Sequence, residues 1–367
     1  MISPTQETTP DMTQDSSQPN GPDAGSERQD PPGLDLGRLG PWFAENVPGA
    51  GDSLSARHIS GGKSNLTYEV SDGTTSWIIR RPPLGHVLAT AHDMGREYTV
   101  MTALRDTPVP VPTTYARCQD ESVTGADFYV MEKAAGVPYR FATELEGLGK
   151  DRTRDLSSRL VDILAALHQV DPASVGLGEF GRPEGFLGRQ VKRWKKQLEA
   201  SYSRDLPAAD ELHRRLAESI PAEQAPGIIH GDYRLDNVLT DSSGDSDEIT
   251  AVIDWEMATL GDPLTDLALM ILYKRLGDQG GSTVADASSA PGFLSEQEIV
   301  DLYARTSTRD LSDFGWYLGL AAYKLGAILE GIHYRYINGQ TVGPGFDKVG
   351  DSIHGLLQTG LDALDAR

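Results

Sequence analysis

One short stretch constrains this chain more than its composition does. Ile229-His230-Gly231-Asp232-Tyr233-Arg234-Leu235-Asp236-Asn237-Val238-Leu239 is followed, after a charged turn, by Val252-Ile253-Asp254-Trp255-Glu256. Apolar runs flank the polar loop. Between them, Asp241-Ser242-Ser243-Gly244-Asp245-Ser246-Asp247-Glu248 supplies the turn chemistry of a hairpin. That turn lacks the ligand spacing and closing Glu of a calcium loop. The chain must therefore carry Asp232 and Asn237 on a loop, and Asp254 just past a short hairpin.

An Asp, an Asn and a second Asp in this order and spacing are what phosphoryl transfer from ATP requires. One carboxylate orients the attacking hydroxyl and takes its proton, while the amide and the other carboxylate hold the metal ions that bridge the phosphates. The kinase catalytic loop reads H-R-D-x-x-x-x-N, and His230-Gly231-Asp232 precedes Asn237 with the same four-residue gap. Asp254, in Ile-Asp-Trp-Glu, takes the place of the Asp of D-F-G. Asp232 is thus the expected catalytic base. Carboxylates are weak bases, but in a loose transition state the proton leaves late and orientation matters more. Asn237 and Asp254 are hard oxygen donors suited to Mg²⁺. His230 is expected to brace the loop. Asp262 and Asp266, in Gly261-Asp262-Pro263-Leu264-Thr265-Asp266-Leu267-Ala268, are expected to be structural, with Asp262 as a helix N-cap and Pro263 at the first helical position.

On these residues the chain resembles the aminoglycoside phosphotransferase and choline kinase superfamily, the small-molecule relatives of protein kinases. Within it, the chain is most similar to the kinase-like domains that some proteins carry fused to acyl-CoA dehydrogenases. The resemblance spans roughly residues 38 to 360. It implies an α+β, protein-kinase-like two-lobe fold, with ATP and Mg²⁺ as cofactors and a small-molecule acceptor. It divides the chain into an acidic disordered tail (1–37), a strand-rich nucleotide-binding N-lobe (38–131), and a hinge with a mostly helical C-lobe carrying the catalytic loop and acceptor site (132–367).

Local patterns agree with that division. Alternating apolar residues predict strands over 55–60, 66–71 and 76–81, with others near 113–118 and 126–132. Met94, Tyr98, Met101 and Leu104 recur at three- and four-residue steps and predict a helix over 91–105. Glu132-Lys133-Ala134-Ala135-Gly136-Val137-Pro138 reads as a hinge. Helices are expected over 151–170, 186–203, 207–219, 263–276, 295–307, 312–338 and 347–364. The tail is rich in Ser, Pro, Gln, Asp, Gly and Thr, and its seven acids outnumber its one base, Arg28, with Arg38 just beyond it. Such a segment cannot bury enough apolar surface to offset its ordering entropy.

For the nucleotide, Ser60-Gly61-Gly62-Lys63-Ser64-Asn65 lies between two predicted strands. Gly61 and Gly62 allow close backbone approach to phosphates, and Ser64 and Asn65 add donors. The loop is neither G-x-G-x-x-G nor a Walker A, so a plain hairpin turn is the alternative. In Trp77-Ile78-Ile79-Arg80, Arg80 falls where kinases place a Lys, with Glu97 as its expected partner. Arg grips phosphate bidentately but is not interchangeable with Lys. This departure keeps a non-catalytic, nucleotide-binding pseudokinase in view. Met131, Glu132 and Ala134 are the expected adenine contacts, through the main chain and the Met131 side chain.

Composition sets outer limits. The chain has 367 residues and a net charge of −21, which disfavours nucleic acid and anionic membrane surfaces as partners. No apolar run approaches the roughly 18 residues of a membrane span. The N-terminus has no basic-then-apolar signal pattern. Cys118 is the single cysteine, so no intrachain disulfide or cysteine metal site forms. A cytoplasmic location is the expectation.

The acceptor is the least legible part. Tyr233, Arg234, Trp255 and Glu256 neighbour the catalytic groups in sequence and are the expected substrate contacts. Gly277 to Leu294 is either a lid or an idle loop. Trp316, Tyr317, Tyr323, Tyr334 and Tyr336 either line a pocket or fill a core. The resemblance implies a hydroxyacyl-CoA and a functional link to an acyl-CoA dehydrogenase. The basic stretch Arg189 to Lys196, around Trp194, would meet an anionic CoA or simply face solvent. The acidic net charge instead suits an aminoglycoside or another amino alcohol.

Overall fold

The computed structural model describes residues 30–51, 53–59, 65–84, 93–244, 246–279, 286–340 and 346–366. Most of the tail, and Gly61, Gly62 and Ser64, lie outside the described residues.

The N-lobe holds α1 (Leu36–Asn46), β1 (Ser55–Ile59), β2 (Leu66–Ser71), β3 (Ser76–Arg81), α2 (Met94–Leu104), β4 (Thr114–Cys118), α3 (Glu121–Thr124) and β5 (Phe128–Glu132). Its strands form one antiparallel sheet in the order β1-β2-β3-β5-β4. The period-2 alternation assigns the two faces to different cores. Tyr68, Val70, Trp77, Ile79, Phe128 and Val130 pack with α1, whereas Ile78, Tyr129 and Met131 join α2 and the C-lobe core. Arg80 pairs with Tyr129 across β3 and β5, so it stands on this second face, toward the other lobe.

The predicted strands match to within two residues, but α1 was not expected. Gly37, Gly40 and Pro41 weaken its intrinsic helix preference. Tertiary contacts outweigh that: Trp42 packs edge-on to Phe128 at 4.8 Å and Phe43 to Trp77 at 5.2 Å. Residues 30–37, read as the end of the tail, are also packed. Leu34 is buried, Asp35 caps α1, and the Tyr68 hydroxyl donates to the Pro32 carbonyl at 2.5 Å. A few apolar anchors were enough to order this polar segment.

The C-lobe comprises α4 (Gly149–Gln169), α5 (Phe186–Glu199), α6 (Pro207–Glu218), β6 (Gly227–Ile229), β7 (Val238–Asp241), β8 (Glu248–Val252), β9 (Thr259–Gly261), α7 (Leu264–Asp278), α8 (Glu296–Thr306), α9 (Phe314–Ile337) and α10 (Ile353–Asp365). Two small antiparallel pairs, β6–β9 and β7–β8, frame the catalytic loop. Trp316, Tyr317 and Tyr323 of α9 are core residues, while Tyr334 and Tyr336 near its end are exposed. Of the 277–294 segment, 280–285 lie outside the described residues. Its second half is anchored, not free: Asp286 and Ala287 donate their N–H groups to the Arg140 carbonyl, and Leu294 N–H reaches Ser157 Oγ.

The hinge is tied to the C-lobe hairpin. Val137 and Thr240 exchange both backbone hydrogen bonds at 2.9 Å, and Thr250 Oγ1 donates to Ala135 O at 2.5 Å. Gly136 has φ +101, and a Cβ there would meet the Thr240 carbonyl carbon at 2.5 Å, so this crossing requires glycine. Among the described residues, no helix is long and apolar enough to cross a membrane.

Candidate active site

The catalytic loop is held from below by Asp266. Its Oδ2 accepts from His230 N–H at 2.6 Å and its Oδ1 from Gly231 N–H at 2.8 Å. Burial pushes the Asp266 carboxyl up, but His168, His230 and these N–H donors outweigh it and hold it below the usual range. His168 in turn contacts Asp266 Oδ2 at 3.5 Å and the Tyr303 hydroxyl at 2.8 Å. Gly231 has φ +90, and a Cβ there would stand 2.7 Å from that of Met257. That explains a Gly between the His and the Asp.

Both ring nitrogens of His230 are engaged within the loop region. Its Nδ1 accepts from Asp232 N–H at 3.2 Å, which leaves Nε2 as the protonated nitrogen donating to Ile253 O at 2.9 Å. Ile253 N–H reaches Asn237 O at 2.9 Å. The residue before Asp254 is thereby tied to both ends of the catalytic loop. Asn237 Nδ2 donates to Asp232 O at 2.8 Å and to Asp232 Oδ2 at 3.1 Å, which turns its amide nitrogen toward the Asp and its oxygen the other way. Asp254 has φ 67 and ψ 54, and it is the one positive-φ residue other than glycine among the described residues. Such strain in a non-glycine residue is characteristic of functional positions.

From the N-lobe, Arg80 reaches across the cleft. Its Nε stands 3.3 Å from Glu97 Oε2 and its Nη2 2.5 Å from Asp254 Oδ1. Burial opposes the guanidinium charge, but Glu97, Tyr129 and Asp254 more than compensate. Glu97 is fully buried, and burial raises its carboxyl to about 7 against the pull of Arg80. The Tyr129 hydroxyl donates to Glu97 at 2.8 Å, and Asn65 Nδ2 bridges Glu97 and Glu256, each at 3.1 Å. Glu256 therefore belongs with the N-lobe groups. At the hinge, Met131 is buried, but the Glu132 N–H already donates to Thr113 O at 2.8 Å and is not free for adenine. Ala134 follows, half-buried between the exposed Lys133 and Ala135.

Two expected substrate contacts are corrected. Tyr233 is fully buried and its hydroxyl donates to Leu160 O at 2.8 Å. Trp255 is fully buried, donates to Val252 O and packs against His230 at 4.6 Å between ring centroids. Both are supports of the loop, because sequence adjacency to Asp232 and Asp254 says nothing of side-chain direction. Arg234 does reach the site. Its Nε lies 3.5 Å from Asp232 Oδ2 and 3.0 Å from Asp236 Oδ1, its guanidinium covers the Tyr273 ring, and its shielded Nη1 has no hydrogen-bond partner in the protein.

Asp262 accepts from Leu264 N–H at 3.1 Å and from the Tyr317 hydroxyl at 2.7 Å. Helix α7 is assigned from Leu264, one residue later than expected, although Pro263 already has helical angles. Two further residues escaped the sequence reading. Tyr273 on α7 donates to Asp232 Oδ1 at 3.2 Å, and Lys324 on α9 donates to Gly231 O at 2.7 Å. They lie 41 and 93 positions along the chain from the residues they hold, with no local motif to mark them.

A strand-rich lobe and a helical lobe meet over an Asp, an Asn and a second Asp held by buried bonds, which is the protein-kinase-like class of phosphotransferases. The chain belongs to the Phosphotransferase enzyme family, whose profile matches residues 55–299. It is 31% identical to a candidate aminoglycoside phosphotransferase from Ralstonia eutropha, with a TM-score of 0.79 over 91% of this chain and 99% of that one. It is 32% identical to acyl-CoA dehydrogenase family member 11 of Gallus gallus, over 89% of this chain and 42% of the relative. With family member 10 of Mus musculus it shares 32% identity over 76% of this chain and 26% of the relative. The chain thus spans less than half the length of these curated relatives. Aminoglycoside phosphotransferase APH(4)-Ia, solved with AMP-PNP and hygromycin B, shares the fold at a TM-score of 0.57 and 17% identity, covering 89% and 98%.

Proposed function

We propose that this chain catalyses ATP- and Mg²⁺-dependent phosphorylation of a hydroxyl on a small molecule, with a hydroxyacyl-CoA as the first candidate acceptor. The observation that supports the reading is the lock from His230 through Ile253 to Asn237, which ties the hydrogen-bonded Asp232–Asn237 pair to the residue that precedes Asp254. Residues 38–131 then serve the nucleotide, and residues 132–367 the acceptor and the chemistry.

The donor set fits a hard cation. Asp254 offers a carboxylate that already faces the Arg80 guanidinium, Asn237 offers an amide oxygen, and neither thiolate nor imidazole is in that pair. When bound, Mg²⁺ would supply neutralisation of phosphate charge. Asp232, aligned by Asn237 and Tyr273, orients the acceptor hydroxyl. The acceptor oxygen bonds to the γ-phosphorus as the bond to the β–γ bridging oxygen breaks. The electron pair leaves with ADP, and the hydroxyl proton passes to Asp232. The shielded Arg234 Nη1 and the Arg80 guanidinium are the donors for phosphate oxygens.

An amino-alcohol or aminoglycoside acceptor is the second reading, favoured by the net charge of −21. A link to an acyl-CoA dehydrogenase belongs to the first, by the names of the relatives. The test is ATP consumption with Mg²⁺ against 3- and 4-hydroxyacyl-CoAs, aminoglycosides, choline and homoserine, with product mass read alongside. A phosphorylated acyl-CoA supports the first reading. ATP binding with no phosphorylated product from any acceptor leaves the pseudokinase reading, with Arg80 as its basis.

A further inference from the structure

Lys324 is out of place by composition. It lies in the middle of α9, between Tyr323 and Leu325, in a run whose neighbours are buried. A lysine so placed needs a polar partner for its ammonium. Among the described residues its ammonium makes one hydrogen bond, to Gly231 O at 2.7 Å, and meets an aromatic face, the Trp194 ring at 5.7 Å. An ammonium has three donors, so two N–H groups remain uncommitted. Burial draws the Lys324 pKa down, against the attraction of Asp232 and Asp266.

Lys324 lines a cavity of about 60 Å³ between α5, α9 and the underside of the catalytic loop. Phe186, Met257 and Leu320 form the apolar part of its walls, beside polar side chains that include Gln190 and Thr265, and Trp194 and Arg193 stand on the α5 side. Asp266 also borders it, but both of its oxygens are taken by the loop N–H groups. Gly231, whose carbonyl Lys324 holds, directly precedes Asp232. The cavity therefore borders the residue that precedes the expected catalytic base, whose carboxylate acts on Lys324 electrostatically, and of its three charged side chains Lys324 and Arg193 are positive while the Asp266 carboxylate is committed to the loop.

We propose that Lys324 is a specificity-determining residue, which donates to a carbonyl oxygen of the acceptor and disfavours acceptors that present ammonium groups. The inference rests on the phosphotransferase reading for the place of the reacting hydroxyl. An acceptor with an apolar chain and a carbonyl satisfies the walls and the spare donors together. A polycationic sugar would bring like charges against Lys324 and Arg193, and such pairs are repulsive where water is excluded. The acidic net charge of the whole chain is thus overruled locally.

The test is calorimetric binding, so that it does not depend on turnover. Wild type, Lys324→Gln and Lys324→Arg are titrated with 3-hydroxyhexanoyl-CoA and with its thioether analogue, in which the carbonyl is a methylene. Gln keeps a donor for Gly231 without the charge, and Arg keeps the charge. Melting temperatures within a few degrees of wild type identify variants that fold. Wild type should bind the thioester about tenfold more tightly than the thioether. Lys324→Gln should lose most of that preference, and Lys324→Arg should retain part of it. Kanamycin should bind wild type more weakly than Lys324→Gln. Equal binding of the two analogues by wild type, an undiminished preference in Lys324→Gln, or binding of neither analogue overturns the inference. Each of those results leaves the phosphotransferase reading to be decided by ATP consumption alone.

Discussion

The two sides of the cleft are built on different principles. On the C-lobe side, Asp232 and its neighbours are fixed by a closed set of short bonds from Asp266, His230, Asn237, Tyr273 and Lys324. On the N-lobe side, one long side chain, Arg80, reaches across to Asp254 from a buried carboxylate that resists ionisation. Reaction geometry needs preorganisation, and here it is concentrated below the cleft. On the N-lobe side, among the described residues, the cation that meets Asp254 is Arg80, held at the end of a long side chain.

Substitutions can break that contrast in descending order of effect. Asp232→Ala should lower kcat by about a thousandfold, within the range for removal of an acid–base group, while ATP still binds by calorimetry. Retained turnover would remove Asp232 from the chemistry. Asp266→Ala leaves two buried N–H groups without an acceptor, at about 1–3 kcal/mol each. It should lower both the melting temperature and kcat, the latter by roughly 10–100-fold. If the loop side is as rigid as its bonds indicate, Arg80→Ala should act differently. The ATP KM should rise about tenfold with a smaller loss of kcat and little change in melting temperature.

The smallest effect concerns Glu97. Its carboxyl sits at about 7 in the fold against an ordinary 4.5, so the native state holds the proton more tightly than the unfolded chain does. Its contribution to stability is full below the ordinary value and is lost as pH rises through about 7. Urea midpoints of wild type should therefore fall between pH 4.5 and 7.5, and Glu97→Gln should flatten that fall by roughly 1–3 kcal/mol. An unchanged slope would mean that Arg80 keeps Glu97 ionised throughout.

The same contrast separates what sequence revealed from what it hid. Asp232, Asn237 and Asp254 stand out in the sequence because the chemistry proposed for them demands a fixed local spacing, and the strands were legible because alternation records which face is buried. The Arg80–Glu97 pair followed from strand and helix order. Tyr233 and Trp255 were misplaced because position in the chain does not give direction, and both turn into the core. Tyr273 and Lys324 were invisible because α7 and α9 meet the loop only after the helices pack. Helix α1 was hidden by its own Gly and Pro content, which Trp42 and Phe43 override through contacts with the sheet.

The tie between Val137 and Thr240 has a mechanical consequence. Glu132 is held in the sheet through Thr113, and Ala135 O is held by Thr250 of the hairpin. Only Lys133 and Ala134 stand between these anchors. Backbone rotation at the hinge is thereby confined to the torsions of that dipeptide, a short axle clamped at both bearings, and movement of one lobe against the other must also break the Arg96–Ala258 and Val252–Pro110 hydrogen bonds. Opening would then swing Arg80 away from Asp254 along one arc, so entry of a nucleotide and release of that cation would be a single movement.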